Sequence, residues 1–118
     1  MVRRFYFYYF RFMNKEFSNF KEFYPFYLSQ HEDKTCRILH VIGTTIVLAL
    51  FFTGIIHFNP RIWVFIPLAG YGFAWIGHAF FEKNKPATFK HPLWSLRGDF
   101  QMYFDILSGK ISLDSKKD

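Results

Sequence analysis

Two long uncharged stretches, separated by only three residues, constrain this chain more than any other feature. Ile38 to Phe58 contains no Lys, Arg, Asp or Glu over 21 residues, and Ile62 to Phe81 contains none over 20. As helices these stretches measure about 31 and 30 Å, the thickness of a bilayer's hydrocarbon core. A segment in lipid must satisfy its own backbone hydrogen bonds, which a helix does within itself. Asn59-Pro60-Arg61 between them reads as a tight turn. The expected fold class is therefore all-α: an integral membrane helical hairpin, with transmembrane helices at about 38–58 and 62–81.

The remainder supports the lipid bilayer as the partner. Of 118 residues, 24% are aromatic, and 15 Lys+Arg face 9 Asp+Glu. Basic charge suits either nucleic acid or an anionic membrane surface. Here it is interleaved with Phe and Tyr, and no nucleic-acid-binding motif accompanies it, so we expect no nucleic-acid partner. The segment 1–15 places Phe5 to Phe10 between Arg4 and Arg11 and lacks a small-residue cleavage site, which favours an interfacial segment over a signal peptide. A single membrane domain over 16–109 and a polar tail over 110–118 complete the plan. The one cysteine, Cys36, permits no intramolecular disulfide. Fourteen of the 15 Lys+Arg lie outside the turn, on the side of both termini. The positive-inside rule then puts both termini in the cytoplasm, whether the membrane is a bacterial inner membrane or the endoplasmic reticulum.

The flanks read as amphipathic helices. Phe17, Phe20, Tyr24, Tyr27 and Leu28 recur at helical spacing before the hairpin. After it, Leu93, Leu96, Phe100, Tyr103, Phe104 and Leu107 form a stripe, with Asp99, Gln101 and Asp105 off it. Pro92 suits the start of this last helix and Gly109 its end. A hairpin with so little interior needs these helices, or a second copy in a homo-oligomer, to pack against.

The chemistry lies in the histidines. His40 is about 20 residues before the centre of the turn and His78 about 18 after it, so an antiparallel hairpin brings them to similar depth. Polar residues at that depth are costly and face a partner or a cavity. His78 and Glu82 are four apart and share a helix face. Gly70, Ala74 and Gly77 on one arm, and Gly43, Thr44 and Val47 on the other, permit the arms to approach near these histidines. A helix break at Glu32-Asp33-Lys34-Thr35, capped by Asp33 or Thr35, lets His31 fold back towards His40. His91, before Pro92, is a further candidate, whereas His57 lies beside the turn at the opposite face. Imidazole and carboxylate suit iron, zinc or manganese, and two or three His plus a carboxylate with open positions suit O2-activating Fe(II). A bis-histidine haem on His40 and His78 is a weaker reading, and histidines with a purely structural role in a non-catalytic scaffold are the alternative from another class.

Two motif halves carry a family resemblance. Tyr27-Leu28-Ser29-Gln30-His31 followed by His40-Val41-Ile42-Gly43-Thr44 is one, and Gly77-His78-Ala79-Phe80-Phe81-Glu82-Lys83-Asn84-Lys85-Pro86-Ala87 is the other. Over roughly Phe17 to Leu107 the chain resembles the Mpo-like family of 2-hydroxy fatty acid dioxygenases, in a short two-span version. The longer fungal member has further hydrophobic segments where this chain has Asn59-Pro60-Arg61. The resemblance implies Fe(II)-dependent α-oxidation, in which a 2-hydroxy fatty acid and O2 give the acid one carbon shorter and CO2, serving sphingolipid base breakdown in the fungal case. It implies His31, His40 and His78 as iron ligands and Glu82 as a ligand, an orienter of a histidine or a proton acceptor, while His91 is a candidate from its place in the loop alone.

Overall fold

A computed structural model describes residues 17–84 and 90–117, and every regular element among them is helical. The aromatic and basic segment 1–15 lies outside the described residues, as do Lys85, Pro86 and Ala87 of the second motif half.

Helix α1 spans Phe20–Ser29. The Asn19 side chain accepts from the Glu22 N–H at 2.9 Å, and the Glu22 carboxylate accepts from the Ser18 N–H at 3.0 Å, so the first turn is capped from both sides. Helix α2 spans Lys34–Ile56, and its N-cap Asp33 accepts from the Cys36 N–H at 2.9 Å. The chain therefore breaks between His31 and His40 where the capping residues predicted. At the turn, Asn59 caps a short 3-10 helix, Pro60–Val64, by accepting from the Arg61 N–H at 3.2 Å. Helix α3, Phe65–Ile76, runs back and widens into a π-helical segment, Gly77–Glu82, which ends at Lys83 in the left-handed conformation. Helix α4 spans Pro92–Leu107, with Gly109 at φ 82° just beyond its end. A 3-10 turn, Ser115–Lys117, follows.

The arms of the hairpin meet along the small-residue stripes. Gly43 faces Ala69 and Phe73, and Gly70 faces Val47. A Cβ added at Gly77 would lie 3.0 Å from Cys36 Sγ and 3.4 Å from Cys36 Cα, so the arms are in close contact beside His78 as well. Lys34–Ile56 and Pro60–Glu82, 23 residues each, are both long and apolar enough to cross a membrane. Their outer surfaces are apolar and open: Ile56, Val64 and Leu68 are 69%, 68% and 68% exposed.

The apolar core lies beside the hairpin's histidine end instead of within it. Phe17, Phe23, Tyr27 and Met102 join α1 to α4. The face of α4 that turns inward is the polar one. Ser95, Gly98, Met102 and Asp105 are buried, while Leu93, Leu96, Phe104 and Leu107 of the expected stripe point outward. Partner chemistry explains the choice. The Tyr24 hydroxyl donates to Asp105 at 2.7 Å and the Tyr27 hydroxyl donates to Asp99. Gly98 lets α4 touch the Tyr27 ring, where a Cβ would come within 2.8 to 3.0 Å of three ring atoms. Each of these two acids thus finds a phenol, and the leucines are left on the surface.

Candidate metal centre

Three elements deliver one imidazole each. His31 comes from the turn after α1, His40 from the second turn of α2 and His78 from the π-helical segment, and all three are buried. Among the described residues their ligand atoms form a group that can hold a metal ion, all within 4.8 Å of one another. The ring centroids are 4.5 Å apart for His31 with either partner and 5.1 Å for His40 with His78.

The outer hydrogen bonds set the chemistry of this group. His31 Nδ1 lies 2.6 Å from the Tyr27 carbonyl and His40 Nδ1 2.8 Å from the Cys36 carbonyl. A carbonyl only accepts, so both Nδ1 atoms carry the proton. His78 Nδ1 lies 2.6 Å from Asn84 Oδ1. The amide of Asn84 is oriented by Nδ2, which donates to the Gln30 carbonyl and to Gln30 Oε1 at 3.1 Å each. Asn84 Oδ1 is then the acceptor, and His78 also holds its proton on Nδ1. All three Nε2 atoms are left with lone pairs. Those of His31 and His40 nevertheless stand 3.1 Å apart. A cation among them turns this repulsion into coordination, so the residues present fit a divalent metal with imidazole preference. Burial first, then the neighbouring His40 and His78, holds His31 well below the usual imidazole range, in the neutral form that ligates.

Further contacts fix these groups in place. The Tyr27 ring stacks on His31 at 4.0 Å between centroids. The Arg37 Nε–H donates to the His31 carbonyl at 2.6 Å, and its Nη1 donates to Ser112 in the C-terminal segment. Ser115 Oγ donates to the Glu32 carbonyl at 2.6 Å. The turn carrying His31 is thus strapped from two directions.

The other expected site residues sit elsewhere. The Glu82 carboxylate accepts from the Asp33 N–H, joining the end of the second arm to the start of α2. His91 packs against Phe17, Phe23 and Trp94, with centroids 5.2 to 5.4 Å away, and is not brought to the trio. The pair used in the haem reading, His40 and His78, has a third imidazole beside it, His31, 4.5 Å from each between centroids.

A cavity of about 170 Å3 opens on the trio. Val47, Ile66, Pro67, Ala74 and Trp75 give it apolar walls, and Tyr27, Ser95 and Asp99 give it a polar side. Burial pushes the Asp99 carboxyl from its ordinary 3.8 up to about 6, against the opposite pull of the Tyr27 hydroxyl bond. Asp99 and Asn84 escaped the sequence reading as site residues. Asp99 stood off an apolar stripe whose outward direction was not visible, whereas Asn84 carried a usable signal, lying six residues after His78 within the second motif half.

An all-helical hairpin with an apolar exterior and a buried tri-imidazole pocket defines a candidate metal-binding helical protein, two of whose helices are long and apolar enough to cross a membrane. The chain belongs to the family described as 2-hydroxy-palmitic acid dioxygenase Mpo1-like, whose model matches residues 17–111. Comparison with curated proteins and with solved structures gave no match.

Proposed function

We propose that this protein is a membrane-embedded, Fe(II)-dependent dioxygenase that converts a 2-hydroxy fatty acid and O2 into the acid one carbon shorter, CO2 and water. The observation that carries the reading is the convergence of three Nε2 lone pairs on a cavity with apolar walls, in a chain of this family. Apolar surface as exposed as that of Ile56, Val64 and Leu68 is costly in water and ordinary in lipid, which supports a hairpin crossing the bilayer twice. The basic residues at the histidine end favour that face, with both termini, on the cytoplasmic side.

His31, His40 and His78 would hold the iron, which supplies O2 activation and chelation of a hydroxy acid when bound. The protein's own residues do the rest. The carbonyls of Tyr27 and Cys36 and the Asn84 amide keep the ring protons on Nδ1, so the Nε2 atoms face inward. Glu82, through the Asp33 N–H, orients the first turn of α2 and with it His40, and is the positioning carboxylate of the site. The walls between α2 and α3 exclude water and take the alkyl chain. Ile66 and His78, both on the cavity, are twelve residues apart, about 18 Å along a helix, room for a long acyl tail running towards the turn. His91 keeps a supporting role as packing for α1 against α4.

The test is direct. Purified in detergent, loaded with Fe(II) and supplied with 2-hydroxypalmitate and O2, the protein should release the C15 acid and CO2, and His78→Ala should abolish both. A metal-loaded, folded wild-type protein that yields neither overturns the proposal.

A further inference from the structure

The polar side of the cavity contains a group for which the described residues supply no partner. Ser95 is 2% exposed and lines the cavity, yet its Oγ makes no hydrogen bond among the described residues. A buried hydroxyl left unsatisfied costs free energy comparable to a lost hydrogen bond, so such a group in a cavity wall is explained by what the cavity takes up. Asp99 lines the same cavity one helical turn further along α4. Its Oδ1 receives the Tyr27 hydroxyl, which leaves Oδ2 as an acceptor. Residues four apart on a helix share a face, so Ser95 and Asp99 present a donor-acceptor hydroxyl and a carboxyl side by side. The face is held in place: Gly98, between them, rests on the Tyr27 ring, and Tyr27 stacks on His31. The same wall continues into apolar side chains at Leu96 and Trp75. A ligand matched to this wall has a small polar head with its own hydroxyl and a tail that is purely apolar.

We propose that Ser95 and Asp99 form the hydroxyl-recognition subsite of this cavity, hydrogen-bonding the 2-hydroxyl of a long-chain 2-hydroxy acid and so discriminating it from the unsubstituted acid. This deepens the dioxygenase reading and rests on it. The discrimination follows from loss as much as gain. A ligand without the hydroxyl would fill the cavity and leave Ser95 Oγ unpaired and Asp99 with only its Tyr27 bond, and sites built to pair a hydroxyl reject analogues that lack it.

The experiment separates binding from turnover. The full chain in detergent is loaded with redox-inert Zn(II), and affinities for 2-hydroxypalmitate and palmitate are measured alongside metal content and thermal midpoint. The wild type should favour the hydroxy acid by about tenfold or more, the equivalent of one good hydrogen bond. Ser95→Ala should lose most of that preference, by weakening the hydroxy acid and relieving the penalty on palmitate, with metal content and midpoint unchanged. Asp99→Asn, which preserves the acceptor for Tyr27, should reduce the preference as well. Equal wild-type affinity for the two acids, or a Ser95→Ala variant that keeps the full preference, overturns the subsite. A Ser95→Ala variant that loses zinc or melts earlier also overturns it, since the role is then structural. Product formation by the Fe(II) enzyme stands or falls separately, so a failed subsite with an active enzyme is told apart from failure of the dioxygenase reading.

Discussion

His31 and His40 bring their Nε2 atoms to 3.1 Å while each ring donates its Nδ1 proton to a backbone carbonyl of its own neighbourhood. Two lone pairs aimed at each other at that distance are a binding site in search of a positive charge. With His78 completing the set, the protein should bind one divalent ion, and the ion should stabilise it. At a free metal concentration one hundred times the Kd, the gain is about 2.7 kcal/mol. Thermal melts in detergent, with the metal and with a chelator, should differ by several degrees. His40→Ala and His78→Ala should show no difference between the two conditions.

Asn84 holds the His78 ring by accepting from Nδ1 while its Nδ2 is anchored on Gln30. Removing the acceptor in Asn84→Ala frees the ring to rotate and to change tautomer. Metal affinity should fall by about 10- to 100-fold, the usual effect of losing an outer hydrogen bond to a ligating histidine. Asn84→Asp keeps an acceptor for Nδ1 but sets an oxygen where Nδ2 donated to Gln30, so it should recover only part of the lost affinity. Competition titration against a chromophoric chelator measures both.

Gly98→Ala places a methyl group 2.8 to 3.0 Å from three atoms of the Tyr27 ring, and a ring packed on His31 and bonded to Asp99 has nowhere to go. Overpacking of this kind costs about 1 to 3 kcal/mol. The midpoint of unfolding should drop, and metal occupancy should drop with it, because Tyr27 also supplies the carbonyl that fixes His31. A Gly98→Ala protein with wild-type midpoint and occupancy would refute the close packing.

Asp99 gives a pH dependence with a definite sign. Its carboxyl rises from 3.8 to about 6 on folding. The folded state then binds more protons than the unfolded chain between those values, so this group's contribution is full below about pH 4 and is lost as the pH climbs through 6. His31 works in the opposite direction, because its folded-state value is depressed and its contribution is lost as the pH falls below its ordinary 6.5. Comparison with Asp99→Asn isolates the first effect. The difference in midpoint between wild type and variant should move against the wild type from pH 4 to pH 7, and a constant difference would rule the assignment out.

The hairpin and its depth-matched histidines were legible because they depend on local quantities: uncharged length, a Pro-containing turn, a capping Asp33 and Gly stripes at helical spacing. The trio of His31, His40 and His78 needed only those quantities plus the antiparallel geometry they impose. The direction of α4 was not legible. An apolar stripe of Leu93, Leu96, Phe104 and Leu107 usually marks an inward face, and here it marks the outward one, because Tyr24 and Tyr27 on a distant segment satisfy the acids opposite. That pairing links residues 81 and 72 positions apart, beyond any periodicity. Glu82 shows a related limit. Its spacing from His78 puts it near the trio, but the π-helical turn presents it to the Asp33 N–H.

The order of the ligands along the chain has a consequence for biogenesis. His31 and His40 emerge before the turn, and His78 follows it 38 residues after His40. A nascent protein with only its first arm in place owns two imidazoles, and the third arrives with the second arm, when Gly77 docks on Cys36 and Glu82 closes on Asp33. On the proposed function, metal uptake would be tied to completion of the hairpin: an ion held by all three imidazoles would act as a clasp that engages only the fully assembled chain.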